Sequence, residues 1–281
     1  MGEEHRNRSS GWQYAKLSGH NNEELVNKLL NESPEYQAYF LDKTGLQKEK
    51  VIQAKIGGIH EKNVPGVLGN KTKSKTDLKV YCESGKQINV SIKKSLSGQV
   101  YFVKADLFFK VFEKQFKKEI PQNVRRAIEL FWASASDAIS IIEQYGDKSK
   151  QKNYDLQIRH HSLDATTLKN YDISLYNEML SWFKNNAYEL TRLSFSMGAA
   201  EESSEWSEFI WYINTLGENT IDEIFSMENI CRSAVEVAGS ETYYSKGGTT
   251  IQLPFGFVEW HQEQIQFHHQ YKKVRSLANL K

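Results

Sequence analysis

Apolar and polar residues alternate most clearly between residues 78 and 93. One run reads LKVYC (78–82), a second reads INVSIK (88–93), and the polar segment ESGK (83–86) separates them. Alternation with a period of two is typical of half-buried strands, and a short polar segment between two such runs is typical of a turn. The pattern therefore predicts a β-hairpin.

The length of the turn sets the expected register of this hairpin. If all of residues 83–86 belong to the turn, Asp77 lies opposite Ile92. Alternation places Ser91 and Lys93 on one face of the second strand, and we expect Asp77 to lie beside them. The hairpin thus predicts an acid, a hydroxyl and an amine at one end of two strands.

Several other segments have apolar residues three and four positions apart, which is typical of helices. We expect helices over residues 18–31 (capped by Asn21 or Asn22), 33–45, 105–145, 170–197 and 219–239.

The remaining segments predict loops and strands. Residues 56–75 are rich in Gly and Lys and predict a loop, and residues 95–105 predict a loop followed by a strand or a helix start. Residues 205–214 fit a strand or a helix, and residues 247–274 predict strands with a turn at 254–256. We expect one domain, residues 1–281, of the α/β (α+β) class with a mixed central β-sheet flanked by helices.

The composition agrees with a folded intracellular protein. The chain has 281 residues, of which 39% are hydrophobic and 25% charged, so a core can form. The two cysteines, Cys82 and Cys231, do not make a disulfide framework, so we expect a reduced, cytoplasmic protein. We expect no secretory signal, because residues 1–12 contain no apolar segment, and no membrane span, because no apolar stretch reaches about 18 residues.

Positive charge is concentrated in one part of the chain. The formal net charge is +1, but residues 43–126 hold 19 Lys and Arg against 7 Asp and Glu. Residues 127–281 hold 13 Lys and Arg against 21 Asp and Glu, and residues 1–42 hold 4 Lys and Arg against 7 Asp and Glu. A basic region in a mildly acidic chain is expected of a protein that binds a polyanion, although a solvated lysine-rich surface gives the same counts.

The residues at the end of the hairpin have the chemistry that phosphodiester hydrolysis needs. The carboxylate of Asp77 is a hard oxygen ligand that can hold Mg²⁺ against a phosphate. Mg²⁺ lowers the pKa of a bound water and offsets charge on the phosphate oxygens. The ammonium of Lys93 can position the attacking water and screen the phosphate.

The hairpin resembles the motif of the PD-(D/E)xK nuclease superfamily, with Asp77 followed by a strand and then by Ser91-x-Lys93. Thr76 stands where that motif has Pro, and Ser91 stands where it has the second acid. Some type II restriction endonucleases of this superfamily carry Gln or Asn there. The resemblance implies a restriction endonuclease-like core with a metal site at Asp77, Ser91 and Ile92. The neutral Ser91 implies either a weaker second metal site or a metal held by Asp77, the Ile92 carbonyl, water and phosphate.

The segment GHNNEELV (19–26) is similar to the first helix of the MspI-like branch of small restriction endonucleases. In that branch a G-x-x-N-E start supplies an acid to the metal cluster, which implies Glu23 here, with Glu24 as the alternative. The order of elements over residues 16–271 also agrees with that branch. It runs from an acidic helix through a Gly/Lys loop, the hairpin, a Gly-Gln loop and a long helix to a C-terminal strand. It implies a catalytic core at about 16–145 and a recognition part at about 150–281.

The resemblance also implies a function. It implies a type II restriction endonuclease that cuts double-stranded DNA with Mg²⁺ at a short site of about four base pairs. The products would carry 5′-phosphate and 3′-hydroxyl ends. A cognate DNA methyltransferase is expected in the host without a stable complex, and the enzyme could act as a homodimer or as a monomer that nicks twice.

Two segments contain candidates for DNA contact. The loop after the second strand contains Lys94, Ser95 and Gln99; Gln99 could read a base edge, and Lys94 is the alternative to Lys93 as catalytic lysine. The second segment, YYSKGGTTIQL (243–253), has two glycines that let a backbone approach DNA. Its candidate readers are Lys246, Thr249, Thr250 and Gln252. A plain surface turn is the alternative in both places.

The histidines and tryptophans have simpler interpretations. Five histidines stand out: His160, His161, His261, His268 and His269. Their spacing matches no zinc signature, so we expect them to pack or to contact DNA phosphates. We expect core packing for Trp132, Trp182, Trp206 and Trp211.

The sequence is also compatible with three other functions. A repair or structure-specific nuclease of the same fold would cut without a sequence requirement. A DNA-binding module with a decayed active site is favoured by the absence of an acid at Ser91. A protein-only interaction domain would show no salt-dependent affinity for DNA.

Overall fold

The computed structural model describes residues 23–57, 63–132, 135–214, 220–261 and 264–280. Helices and strands within these ranges form two five-stranded sheets, a small two-stranded sheet, and two groups of helices that pack in separate cores. In chain order they are α1 (23–32), α2 (Pro34–Lys43), β1 (Val51–Ile56), β2 (Val64–Pro65), β3 (Lys71–Thr72), β4 (Leu78–Cys82), β5 (Gln87–Lys93), β6 (Ser97–Val103), α3 (Ala105–Phe116), α4 (Gln122–Phe131), α5 (Ala138–Tyr145), α6 (Gln151–His160), α7 (Ala165–Tyr171), α8 (Ile173–Asn185), α9 (Ala187–Arg192), a π turn (Leu193–Met197), a 3₁₀ turn (Ser203–Glu205), β7 (Phe209–Asn214), β8 (Ile221–Ser226), α10 (Met227–Glu241), β9 (Tyr243–Tyr244), β10 (Ile251–Leu253), β11 (Gly256–His261), β12 (Gln264–Gln270) and α11 (Tyr271–Ala278).

The first sheet carries the predicted hairpin. Its strand order is β1-β4-β5-β7-β8, in which β5 and β7 are parallel and the other neighbours are antiparallel. Helices α1 and α2 cover one face, where Leu30 and Phe40 pack with Val90 and Trp211 in a buried cluster. The expectation of a mixed sheet flanked by helices is confirmed. The sheet draws β7 and β8 from beyond residue 150, and the division into a catalytic core and a recognition part stays a prediction.

The hairpin forms as expected, but its register differs by one residue from the expectation. Asp77 lies across from Ser91 rather than Ile92, because Leu78 pairs with Val90. The loop contains three residues instead of four: the amide of Cys82 donates to the carbonyl of Lys86 (2.8 Å). Gly85 makes this possible with a left-handed φ of 86°, which closes a three-residue hairpin loop.

The second sheet follows directly from the hairpin. Its order is β6-β12-β11-β10-β9, and all its pairs are antiparallel. The strands predicted in the tail and the turn before Gly256 are confirmed. Helices α3 to α10 pack against this sheet in the larger core, with Phe108, Phe112 and Phe267 fully buried.

Several helix predictions are confirmed. Residues 23–32 form α1, and α2 begins at Pro34 with the Ser33 hydroxyl accepting from the Tyr36 amide (3.2 Å). The proposed caps Asn21 and Asn22 lie outside the described residues. Residues 105–145 and 170–197 are largely helical, as expected.

Three secondary-structure predictions are wrong. Residues Ile221–Ser226 form β8 rather than the start of a helix, because they complete the sheet beside β7. The predicted loop contains the small hairpin β2–β3, and the chain ends in the unpredicted helix α11. The apolar spacing in β8 fits both periods, so only the neighbouring strand decides between them.

Burial of the aromatic and thiol groups mostly follows expectation. Trp132, Trp182 and Trp211 are buried, while Trp206 is half-buried and donates from Nε1 to the Ala200 carbonyl (2.9 Å). Cys82 and Cys231 are buried free thiols. Across the described ranges, every helix is too short or too polar to cross a bilayer.

Candidate active site

The backbone around Asp77 is held from both sides. Its amide donates to the Val90 carbonyl (2.9 Å), and its carbonyl accepts from the Gly57 amide (2.9 Å). Asp77 immediately precedes β4, so the observed register places it across from Ser91 at the end of β5. Its side chain is 19% exposed. The carboxylate is therefore fixed in place yet accessible.

The Asp77 carboxylate is oriented by β5. Its Oδ2 accepts from the Ile92 amide (2.7 Å) and from the Ser91 hydroxyl (3.0 Å). Oδ2 accepts both hydrogen bonds. Because the carboxylate is planar, they also fix the orientation of Oδ1. Hydrogen bonds to a carboxylate restrict its rotation. The Asp77 carboxylate is thus held in one orientation.

Lys93 completes the cluster. Its Nζ lies 3.7 Å from Asp77 Oδ2 and donates to the Ser91 hydroxyl (2.5 Å) and to the Ile92 carbonyl (3.3 Å). Ser91 is fully buried and bridges the two charged groups, since it accepts from Lys93 and donates to Asp77. A hydroxyl can act in both directions, whereas a carboxylate could only accept. The structure therefore brings Asp77, Ser91 and Lys93 together.

Glu23 approaches the same cluster from the first turn of α1. Burial raises the pKa of Glu23 to about 7, and the negative charge of Asp77 adds to this effect, while Lys93 and Lys94 oppose it. Glu23 is half-buried and Glu24 is exposed. Between the two acids at the start of α1, Glu23 is the one that faces the cluster.

Two carboxylates that share a site are stabilised by a cation. Asp77, Glu23 and the Ile92 carbonyl offer hard oxygen donors, the type that Mg²⁺ prefers. No group of three or more His, Cys, Asp or Glu side chains with metal-holding geometry occurs in the described ranges. The donors present fit Mg²⁺ only if water and phosphate supply the remaining positions.

Two further groups border the cluster, and neither was predicted from the sequence. Lys75 donates to the Val100 carbonyl and lies over the Tyr101 ring (5.1 Å). Burial lowers the pKa of Lys75 to about 7, and the positive charge of Lys93 contributes. Lys75 lies in the irregular segment between β3 and β4, where no periodic pattern indicates which way a side chain points. A cleft of about 300 Å³ opens beside Lys75, away from Asp77.

The second group joins both sheets. Tyr212 on β7 is aligned with Lys93 on β5, and its hydroxyl lies 2.7 Å from Nδ1 of His269 on β12. Burial lowers the pKa of His269 to about 3, and Lys93 contributes to the shift. Only long-range strand pairing brings these residues to Lys93, so no local pattern could have predicted them.

The first group of DNA-contact candidates lies beside this cluster. Lys94 is half-buried next to Glu23, and Ser95 is exposed in the loop between β5 and β6. Gln99 is exposed on β6, where it pairs with His268.

The second group lies on the far edge of the second sheet. Lys246 and Thr249 are exposed in the turn between β9 and β10, while Thr250 and Gln252 are half-buried. The Gly248 carbonyl accepts from Ala165 (2.8 Å), so the turn packs against the start of α7. Three strand spacings, about 14 Å, separate β10 from β6. The structure does not bring the two groups together.

The remaining histidines mostly make packing contacts. His268 stacks on Phe257 (4.7 Å between ring centroids) and approaches Glu259 (3.1 Å). His160 lies 5.5 Å from the Trp260 ring, and His161 and His261 are exposed.

The similarity of this chain to known proteins is low. No protein-family model matches the chain, and no curated protein matches it. A crystal structure of the restriction endonuclease MspI in complex with its cognate DNA is 8% identical, covers 88% of this chain and 83% of that chain, and gives a TM-score of 0.46. This similarity is too low to transfer function from that enzyme to this chain.

Proposed function

We propose that this protein is a type II restriction endonuclease, which hydrolyses phosphodiester bonds at a short, specific site in double-stranded DNA with Mg²⁺. The observation that carries the proposal is the cluster at the end of β5, where Asp77 and Lys93 lie 3.7 Å apart across Ser91. The cluster falls within residues 43–126, where positive charge is concentrated. An acid and a lysine fixed in a basic surface are suited to a charged phosphodiester.

In this function Asp77, Glu23 and the Ile92 carbonyl would hold the metal. Bound Mg²⁺ supplies Lewis-acid stabilisation of the phosphate and lowers the pKa of a coordinated water. The Ile92 amide and the Ser91 hydroxyl hold Asp77 Oδ2, so the carboxylate needs no reorientation to act as ligand. Pre-orientation of this kind lowers the cost of binding.

Lys93 would position the attacking water and screen the phosphate. Its ammonium is held by the Ser91 hydroxyl and the Ile92 carbonyl, so it is directed along the end of β5. Ser91 supplies a hydrogen bond where a second carboxylate would supply charge. The site therefore has one negative charge fewer than an acid at residue 91 would give it, which predicts weaker metal binding.

DNA would contact both edges of the second sheet. Lys94, Ser95 and Gln99 lie beside the cluster, and the turn from Lys246 to Thr250 lies at the far edge. A duplex that contacts both groups would have to cross the three strand spacings, about 14 Å, between β6 and β10. We further propose a site of about four base pairs, 5′-phosphate and 3′-hydroxyl products, a cognate methyltransferase in the host, and action as a homodimer or as a monomer that nicks twice.

Digestion of a sequenced plasmid tests the proposal. Wild-type protein with Mg²⁺ should give discrete fragments, and EDTA should prevent them. Lys93→Ala should reduce the cleavage rate at least about 100-fold, as loss of a catalytic acid–base group does. Lys86→Ala is the matched control, because Lys86 is an exposed lysine at the opposite end of the same hairpin. Fragments that persist unchanged with Lys93→Ala would refute the proposal.

The same digestion separates the alternatives. A smear instead of bands would indicate a nuclease without sequence specificity. Uncut plasmid that is retarded on a gel would indicate a DNA-binding module, the function that the neutral Ser91 favours.

A further inference from the structure

The buried pair of Tyr212 and His269 has no role in the site described so far. Tyr212 is fully buried and His269 is 2% exposed. Tyr212 lies beside Lys93 in the parallel pairing of β5 and β7, and the two side chains point to the same face of the sheet. The pair therefore lies directly behind the candidate catalytic lysine.

The hydrogen bond within the pair fixes the tautomer of His269. Burial raises the pKa of Tyr212 above its ordinary value, so the phenol keeps its proton. A buried hydroxyl proton needs an acceptor, and His269 Nδ1 lies 2.7 Å from it. Burial lowers the pKa of His269 to about 3, so the ring is neutral. Since Nδ1 accepts, Nε2 must carry the proton.

Gly98 leaves a gap in front of that Nε2–H group. A Cβ atom on Gly98 would lie 3.7 Å from His269 Nε2 and 3.9 Å from Ser95 Oγ. Within the described part of the chain, no group forms a hydrogen bond with His269 Nε2. The gap belongs to the segment that continues directly from Lys93 into β6.

We propose that His269 contacts the substrate: its neutral Nε2–H donates a hydrogen bond to a phosphate oxygen of the DNA strand that lies against Gly98. Phosphate oxygens only accept hydrogen bonds, so they match a group that can only donate. The absence of a side chain at Gly98 lets the strand approach closely. The inference rests on the proposed function, because it needs a nucleic-acid strand at this site.

Matched substitutions separate this contact from a packing role. His269→Gln keeps an N–H donor near the position of Nε2. His269→Asn keeps an acceptor for Tyr212 but is too short to donate there. Gly98→Ala leaves His269 intact and fills the gap at ordinary van der Waals distance, so folding is preserved. Gly239→Ala is its control, because Gly239 is exposed and a Cβ there meets nothing within 4 Å.

Affinity is measured by fluorescence anisotropy on a duplex cut from the test plasmid, with Ca²⁺ replacing Mg²⁺, across a salt series. His269→Asn and Gly98→Ala should weaken binding or slow cleavage about 10- to 150-fold, the range for a hydrogen bond to a charged group. His269→Gln and Gly239→Ala should stay within a few-fold of wild type. The salt slope should not change, because a neutral donor releases no counterion.

The outcomes distinguish this inference from the proposed function. Wild-type affinity and rate in both His269→Asn and Gly98→Ala would overturn the inference, as would equal losses in His269→Gln and His269→Asn. Either result leaves the function intact if Lys93→Ala still abolishes cleavage. A wild-type protein that binds DNA without cutting it would refute the function, while weaker binding by His269→Asn and Gly98→Ala would still support the contact.

Discussion

Acid should destabilise this protein through His269. The ordinary pKa of histidine is 6.5, and burial, Lys93 and His268 lower the pKa of His269 to about 3 in the folded state. Between these values the unfolded chain binds more protons at this residue than the folded chain does. Stability therefore rises with pH across this window, and it is lost as the pH falls below 6.5.

The size of the effect follows from the two pKa values. Each unit of difference between folded and unfolded pKa is worth about 1.4 kcal/mol once the pH lies well below both. At pH 4.5 the unfolded histidine is almost fully protonated and the folded one is not, so the loss relative to pH 7 is about 2.5 kcal/mol. This is a large part of a typical stability of roughly 5–15 kcal/mol.

Urea unfolding followed by tryptophan fluorescence at pH 7 and pH 4.5 measures this loss. The chain has 6 tryptophans, and their burial makes the signal sensitive to unfolding. Wild type should lose about 2.5 kcal/mol more than His269→Gln, which cannot be protonated at this position. His161→Gln removes an exposed histidine and serves as control. Glu23 and the other carboxylates are present in every protein compared, so their contributions cancel. Equal losses in wild type and His269→Gln would refute the buried neutral histidine.

Substitutions test three other features: the hairpin loop, a buried ion pair and the cation site. Gly85→Ala should cost about 1 kcal/mol or more in urea unfolding, because φ at Gly85 is 86°; an unchanged midpoint would contradict the three-residue loop. Lys79→Met should lower the free energy of unfolding by about 3 kcal/mol, because Glu205 loses the ammonium that lies 2.9 Å from its carboxylate. Adding Glu205→Leu to the same protein should recover most of that loss. If it does not, loss of the ion pair is not the cause of the destabilisation. Ser91→Asp places a second carboxylate beside Asp77, so Mg²⁺ should raise its melting temperature more than that of wild type, and equal shifts would argue against a cation site.

Much of the candidate site follows from local sequence. Alternation along residues 78–93 predicts the hairpin and places Asp77, Ser91 and Lys93 together. The register was wrong by one residue because the sequence does not show that Gly85 adopts a left-handed φ and shortens the loop. The local pattern thus predicts which residues lie close together more accurately than it predicts the register of their strands.

The rest of the site depends on pairing between distant segments. Tyr212 reaches Lys93 because β7 pairs with β5, and His269 reaches Tyr212 because the second sheet packs behind the first. The apolar spacing of β8 also fits a helix, and only its partner strand makes it extended. Apolar periodicity indicates which face of a helix or strand is buried. It does not indicate which distant segment packs or pairs with that element.

The parallel pairing of β5 with β7 also affects how the protein is synthesised. The hairpin leaves the ribosome early, but the outer edge of β5 stays unpaired until β7 has been translated, and Phe209 pairs with Val90 across more than a third of the chain. An open strand edge of this kind invites association with other chains, and pairing across such a distance is slow. Tyr212 and His269 arrive with or after β7, so a nascent chain carries Asp77 and Lys93 without the groups that border them. The candidate active site is therefore among the last parts of the fold to be completed.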